Sequence, residues 1–303
     1  MRKDILTLLD LTRDDFDGLI NLALGLKEEA PQAFPLRGKS IGLLFNKPST
    51  RTRVAFETAM IQLGGAPLFI SSKDTQIARN EPIRDTARVL SRYLDALVIR
   101  TFSQEMLQEY AEFATIPVIN ALTDTFHPSQ VLADVMTIRE QKGRVQNLRI
   151  AWVGDGNNVA NSWINAACIM DLELVLACPA GFTPDPQILA AAERSGRGRI
   201  SVTQDPREAV AGADVIYTDV WSSMGQEAET RSRKKAFADF RVDEELVSLA
   251  AGDAIVMHCL PAHRGEEISE AVLEGDRSVI WDQSENKLHM NKAILLKLIT
   301  GRS

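Results

Sequence analysis

Ile41-Gly42-Leu43-Leu44-Phe45-Asn46-Lys47-Pro48-Ser49-Thr50-Arg51-Thr52-Arg53 joins two different periodicities through one polar cluster. Residues 41–45 form an apolar run of the length of a buried strand. From Thr52 to residue 63 the pattern is helical, and it stops at Gly64-Gly65. Ser49 or Thr50 fits the helix cap. Arg51 and Arg53 then stand at the positive end of the helix dipole, where cations are disfavoured by about 0.3–1 kcal/mol. A bound anion reverses that sign. Backbone N–H groups at a helix start, hydroxyls and an arginine make a cradle for phosphate. The glycine-lysine pattern of a nucleotide P-loop is absent.

The order of strand run, polar cluster and helix recurs along the chain. Further apolar runs lie at 68–70, 96–99, 118–119, 150–153, 174–177, 215–217, 254–257 and 279–281. Helical patterns lie at 83–93, 129–142, 161–170 and 291–299. This alternation predicts an α/β fold of two doubly wound domains, each a parallel sheet flanked by helices. The polar stretch Lys142-Gly143-Arg144-Val145-Gln146-Asn147 is the expected boundary. It gives domains at 1–142 and 143–287, with a C-terminal helix at about 288–303 expected to pack back on the first. Six polar clusters follow strand runs: 49–53, Arg100, 127–130, 155–158, 219–225 and 258–261. Ligands of open α/β sheets sit beyond the carboxyl ends of the strands. The clusters therefore predict one active-site cleft between the two domains.

Composition narrows the function. The chain has 303 residues, 45% of them hydrophobic and 25% charged, with a net charge of −7. That balance speaks against nucleic acid as the partner. The apolar runs fall short of the ~18 residues of a membrane span, and no secretory leader is evident after Met1-Arg2-Lys3. Cys168, Cys178 and Cys259 are odd in number and widely spaced, so no disulfide framework is expected. A reducing cytoplasm is the expected setting.

The remaining clusters each carry a plain reading and a chemical one. His127 precedes Pro128 and is held extended, and a neutral imidazole or the Gln130 amide can polarise a carbonyl oxygen. Arg100 at a strand end needs an anion, either a carboxylate or a substrate. Gly154-Asp155-Gly156-Asn157-Asn158-Val159 lacks the third glycine of a dinucleotide fingerprint, and Asn157 and Asn158 suit neutral hydrogen bonding at a helix start. The loop from Asp219 to Gly225 can hold an ammonium group or simply bury Trp221. Arg231, Arg233, Lys234 and Lys235 read as a solvated basic face or a mobile loop edge. Cys259 is either a nucleophile or a small buried hydrophobe. No metal is expected, because no His or Cys spacing fits one.

Together these clusters resemble the carbamoyltransferase family over essentially the whole chain. Ser49-Thr50-Arg51-Thr52-Arg53 is similar to its carbamoyl-phosphate signature, and His127-Pro128-Ser129-Gln130 to its His-Pro-x-Gln motif. Asp219 with Ser223-Met224-Gly225, and His258-Cys259-Leu260-Pro261, resemble the ornithine branch. So does the stretch from Gln76 to Arg92. The resemblance implies transfer of the carbamoyl group from carbamoyl phosphate to the δ-amine of L-ornithine, giving L-citrulline and phosphate in arginine metabolism, in biosynthesis or breakdown, without a cofactor. It assigns Ser49, Thr50, Arg51, Thr52, Gln76, Arg100, His127, Gln130, Cys259, Leu260 and Lys287 to carbamoyl phosphate. Of these Arg51, Arg100, His127, Gln130 and Cys259 are catalytic. It assigns Asn158, Asp219, Ser223 and Met224 to ornithine. It also implies a homotrimer in which the Gln76 segment reaches a neighbouring site. Two positions depart from the pattern. Ser129 stands where cysteine is frequent. Lys287 stands where arginine is usual, and it cannot make a planar bidentate fork.

Three alternatives compete. A sister enzyme would carbamoylate an acylated ornithine or putrescine, but then Asp219 loses its ammonium partner. A nucleotide-dependent oxidoreductase needs the missing glycine. A catalytically silent binding subunit should have lost Arg51 or His127, and both are present.

Overall fold

The computed structural model describes residues 3–29, 33–71, 81–222 and 230–301. It divides into two compact units. One runs to Met136 and resumes at Glu285; the other is Thr137–Ser284.

The first unit contains α1 (Arg13–Glu28), β1 (Ser40–Phe45), α2 (Thr50–Gln62), β2 (Ala66–Ser71) and α3 (Ile83–Leu90). It continues with β3 (Ala96–Arg100), α4 (Gln104–Phe113), β4 (Val118–Leu122) and the start of α5 (Pro128–Lys142). The strands form a parallel sheet in the order β2-β1-β3-β4. β1 and β3 are buried because residues 41–45 and 96–99 form apolar runs, whereas edge strand β2 is largely exposed and carries Pro67. Leu44, Leu97, Ile99, Leu107, Tyr110 and Val118 share one core cluster. Each large apolar side chain so buried contributes about 1.5–3 kcal/mol. Just past the end of α2 stands Gly64, whose φ of +87° and proximity to Phe34 leave no room for a Cβ.

The chain leaves β1 for β2 on one side and returns to β3 on the other. The strand order therefore reverses between β1 and β3, and ligands gather at such a switch point. Phe45 pairs with Arg100 in register there, so the loop after β1 and the end of β3 lie side by side.

The second unit contains β5 (Arg149–Val153), α6 (Asn158–Met170), β6 (Glu173–Ala177), α7 (Pro186–Ser195), β7 (Arg199–Thr203) and α8 (Pro206–Val210). Then come β8 (Val215–Thr218), α9 (Thr230–Ala236), α10 (Glu244–Val247), β9 (Ile255–His258), α11 (Glu270–Leu273) and the start of α12 (Ile280–Thr300). Its parallel sheet has the order β7-β6-β5-β8-β9, and the reversal falls between β5 and β8. Ala151, Val153, Ile216, Val256 and Phe237 lie in its core cluster. Trp152 stacks on Tyr217 with centroids 5.2 Å apart.

Four expectations change. The run at 279–281 is not a strand: Ser278 makes one isolated bridge to Val256, and α12 begins at Ile280. β7 escapes the sequence reading because it is an exposed edge strand without an apolar run. The division falls inside α5, six residues before the expected position 142, because the polar linker follows a helix that belongs to both units. Lys287, expected in the second domain, lies in the first unit. Among the described residues, no helix is long and apolar enough to cross a membrane.

Candidate active site

In the first unit the site is built at the switch point. Ser49 caps α2, its hydroxyl accepting from the Thr52 N–H at 3.3 Å. Thr50 and Arg51 are exposed in the first turn, and Thr52 is buried beneath them. Arg53 is engaged elsewhere: its guanidinium lies 3.6 Å from the centroid of the Phe69 ring, and its Nε donates to Glu57 at 2.9 Å. Of the two arginines at the positive helix end, Arg51 is therefore the one presented to an incoming anion.

Beside this cap lie Arg100 and His127, each 5% exposed, and Gln130 at 1%. His127 is held well below the ordinary imidazole range, first by burial and then by the charges of Lys287 and Arg100. It is neutral at pH 7, as an electrophilic hydrogen-bond donor to a carbonyl oxygen requires. Its Nδ1 lies 3.5 Å from the Ser129 hydroxyl.

Lys287 is buried in the same cluster. Its Nζ donates to Gln130 Oε1 at 2.8 Å and to Thr52 Oγ1 at 3.4 Å. Gln130 Nε2 in turn donates to Asp134 Oδ1 at 2.8 Å. This alters the expected role of Gln130. One amide hydrogen is already committed, and the carbonyl oxygen faces the site cation. Asp134 itself was not anticipated. The signal for it is a lone carboxylate in Val131-Leu132-Ala133-Asp134-Val135-Met136, four residues after Gln130 and so on the same helix face.

In the second unit the loops after β5 and β8 meet at the other switch point. Asp219 is buried, and its carboxylate accepts from the Val220 N–H at 2.8 Å and from Asn157 Nδ2 at 2.7 Å. Asn157 also caps α6, its Oδ1 accepting from Val159 N–H and Ala160 N–H. Asn158 is the first residue of α6 and is half-buried. A Cβ on Gly156 would meet Pro184 and Thr183 backbone atoms, so this glycine serves loop packing rather than a cofactor.

Cys259 and Leu260 follow β9 and are half-buried. Leu260 has a φ of +58°, and its N–H donates to His258 Nδ1 at 2.8 Å. The proton of that ring therefore sits on Nε2, which lies 3.1 Å from Glu267 Oε1. Asp219, His258 and Cys259 offer ligand atoms within 4.8 Å of one another, and so do His263, Glu266 and Glu267. Both His258 nitrogens have protein partners, so a cation there would have to displace one.

Arg233 overturns its expected solvated role. It is 7% exposed, donates to Asp155 Oδ2 and to the Trp221 carbonyl, and lies 4.7 Å from the Phe182 ring centroid. The run around it is indeed basic, but only a burial pattern could have singled this residue out. Gln76, Ser223 and Met224 lie outside the described residues.

The chain matches two domain families. Residues 3–140 match the carbamoyl-phosphate-binding domain of aspartate/ornithine carbamoyltransferases, and residues 146–298 match their aspartate/ornithine-binding domain. It is 56% identical to an ornithine carbamoyltransferase of Desulfotalea psychrophila over 96% of this chain and 97% of that one. Among solved structures it is similar to the ornithine carbamoyltransferase of Pyrococcus furiosus, with 45% identity, a TM-score of 0.93, and coverage of 99% and 97%. It is also similar to the anabolic ornithine carbamoyltransferase of Campylobacter jejuni, with 40% identity, a TM-score of 0.93, and coverage of 99% and 100%.

Proposed function

This chain belongs to the aspartate/ornithine carbamoyltransferase family, and we propose that it transfers the carbamoyl group of carbamoyl phosphate to the δ-amine of L-ornithine, yielding L-citrulline and phosphate for arginine biosynthesis. The observation that carries the carbamoyl-phosphate half is the buried group Thr52, Arg100, His127, Gln130 and Lys287 beside the Ser49 cap. It supplies hydroxyls, helix N–H groups, two fixed cations and a neutral imidazole to one small, charged acyl phosphate.

Ser49, Thr50, Arg51 and Thr52 hold the phosphate at the positive end of α2. Arg100 and the neutral His127 polarise the carbamoyl carbonyl and stabilise the oxyanion that forms on attack. Lys287 meets the same anion as a point charge. The amine lone pair forms the new C–N bond, the carbon–oxygen bond to phosphate breaks, and phosphate leaves with that electron pair. The nitrogen sheds its proton as citrulline forms. The δ-amine must be neutral to attack, so its site favours proton loss.

On the acceptor side, Asp219 takes the α-ammonium of ornithine, with Asn158, Ser223 and the Met224 backbone fixing the amino-acid end. Cys259 and the Leu260 carbonyl lie beside the δ-amine. Asp219 favours free ornithine over the sister substrates, because acylation removes the ammonium and putrescine lacks the α-substituents. Its carboxylate is already oriented by Asn157 and Val220, as a dedicated ammonium acceptor should be.

The working assembly is a homotrimer, with Gln76 reaching a neighbour. Exposed Val54, Ile61, Leu68 and Phe69 on α2 and edge strand β2 support self-association. Three free cysteines suit a cytoplasmic setting.

Steady-state assay with carbamoyl phosphate and L-ornithine tests the reading. Citrulline should form, with acetylornithine, succinylornithine and putrescine far poorer acceptors. A better rate with any of those three would overturn it.

A further inference from the structure

Asp134 is a fully buried carboxylate in the middle of an apolar stretch of α5. The transfer step as derived above gives it nothing to do. A carboxylate in such a place is costly unless it is hydrogen-bonded or paired. It accepts from Gln130 Nε2 at 2.8 Å, one helical turn earlier, while Gln130 Oε1 accepts from Lys287 Nζ at 2.8 Å. These two neighbours admit one amide orientation. Rotating the amide by half a turn would set its oxygen against the carboxylate and its N–H groups against the ammonium. Asp134 and Lys287 therefore act on the same amide from opposite ends.

We propose that Asp134 is a positioning residue that sets substrate specificity: it locks Gln130 with its carbonyl oxygen presented to the acyl end of the substrate. The inference rests on reading the first unit as the carbamoyl-phosphate site. A carbamoyl group carries an NH2, which the second lone pair of Gln130 Oε1 can accept. Acetyl phosphate has nearly the same shape and charge, with a methyl group in that place. A locked acceptor rejects it, because the oxygen would face a group with no hydrogen to donate. Were Gln130 free to turn, its amide would tolerate either acyl group.

The test compares carbamoyl phosphate as substrate with acetyl phosphate as a competitive inhibitor. The wild-type enzyme must first form citrulline; if it does not, the functional reading fails and Asp134 is not at issue. In Asp134→Ala, kcat/KM for carbamoyl phosphate should fall about tenfold. The ratio of the acetyl-phosphate inhibition constant to the carbamoyl-phosphate KM should shrink about fivefold. In a Gln130→Ala background, Asp134→Ala should add less than about a twofold change, because the amide it orients is gone. Equal falls in both backgrounds with discrimination intact would make Asp134 merely structural and overturn the proposal. Asp134→Asn keeps the shape but can offer either an oxygen or an N–H to Gln130. It should lose about threefold in discrimination. Wild-type discrimination in Asp134→Asn overturns the proposal even if Asp134→Ala does not fold.

Discussion

Arg233 Nη1 lies 2.9 Å from Asp155 Oδ2 and 2.8 Å from the Trp221 carbonyl oxygen, with both side chains buried. The pair ties the loop after β5 to the segment that follows Asp219. Removing one partner breaks a buried ion pair in the second unit, which costs about 3–5 kcal/mol. Arg233→Ala should therefore lower the denaturation midpoint sharply. Lys234→Ala, next door on the exposed side of α9, should change it little. Similar midpoints for the two variants would refute the anchoring role.

Arg51 is exposed in the first turn of α2, while Arg53 is occupied by Phe69 and Glu57. Arg51→Ala should weaken carbamoyl-phosphate binding, measured by calorimetry, by about a hundredfold or more. Its melting temperature should match the wild type. Arg53→Ala should retain most of the affinity, and the reverse pattern would reassign the anion site.

The sequence carried most of this architecture because its signals are local. Strand runs and capped helices at 41–63 and 150–170 need only neighbouring residues to be read, and so did the Ser49 cap. What escaped depends on partners far along the chain. Arg233 looks like its basic neighbours until Asp155, 78 residues away, is found beside it. Lys287, expected at the end of the second domain, groups with the first unit because α12 spans the division and a helix pattern does not reveal where a domain ends. Strand β7 was missed for the opposite reason: an exposed edge strand has no apolar signature to read.

Lys287 donates to Gln130 and Thr52 from a buried position. Lys287→Met nearly keeps the length of the side chain and removes the charge. It should raise the KM for carbamoyl phosphate about tenfold or more. Lys287→Arg keeps the charge and adds a planar fork, and should lie near the wild type or bind more tightly. A loss with Arg as large as with Met would mean that the cavity admits only an ammonium.

His127 imposes a definite pH dependence on stability. Its native imidazole resists protonation, while the unfolded one titrates near the ordinary value of about 6.5. Below that value the unfolded chain binds a proton that the native chain does not, so stability falls as pH drops from about 6.5 toward the depressed native value. Above it both states carry a neutral imidazole, so His127 adds no pH dependence there. His289, also depressed by burial, acts in the same direction. Melting temperatures of ligand-free protein between about pH 5 and 7.5 should therefore fall on the acid side. The slope should be shallower in His127→Gln. An unchanged slope would show that His127 is not held neutral.

Asn157 offers the sharpest separation of stability from substrate binding. Its Oδ1 caps α6 through Val159 and Ala160, while its Nδ2 holds the Asp219 carboxylate at 2.7 Å. Asn157→Ala removes both and should cost about 1 kcal/mol of stability from the lost cap. Asn157→Asp keeps a capping oxygen at a helix N-terminus, where a negative charge is welcome. It loses the N–H donor and sets a second carboxylate against Asp219. Stability should then stay near the wild type while the KM for ornithine rises about tenfold, because two adjacent carboxylates compete for protons and Asp219 loses its fixed orientation. The KM for carbamoyl phosphate, whose proposed residues lie chiefly in the first unit, should move little. If Asn157→Asp left the ornithine KM unchanged, Asp219 would not need Asn157 to receive its substrate. If both KM values rose together, the effect would be general and not specific to the amino-acid end.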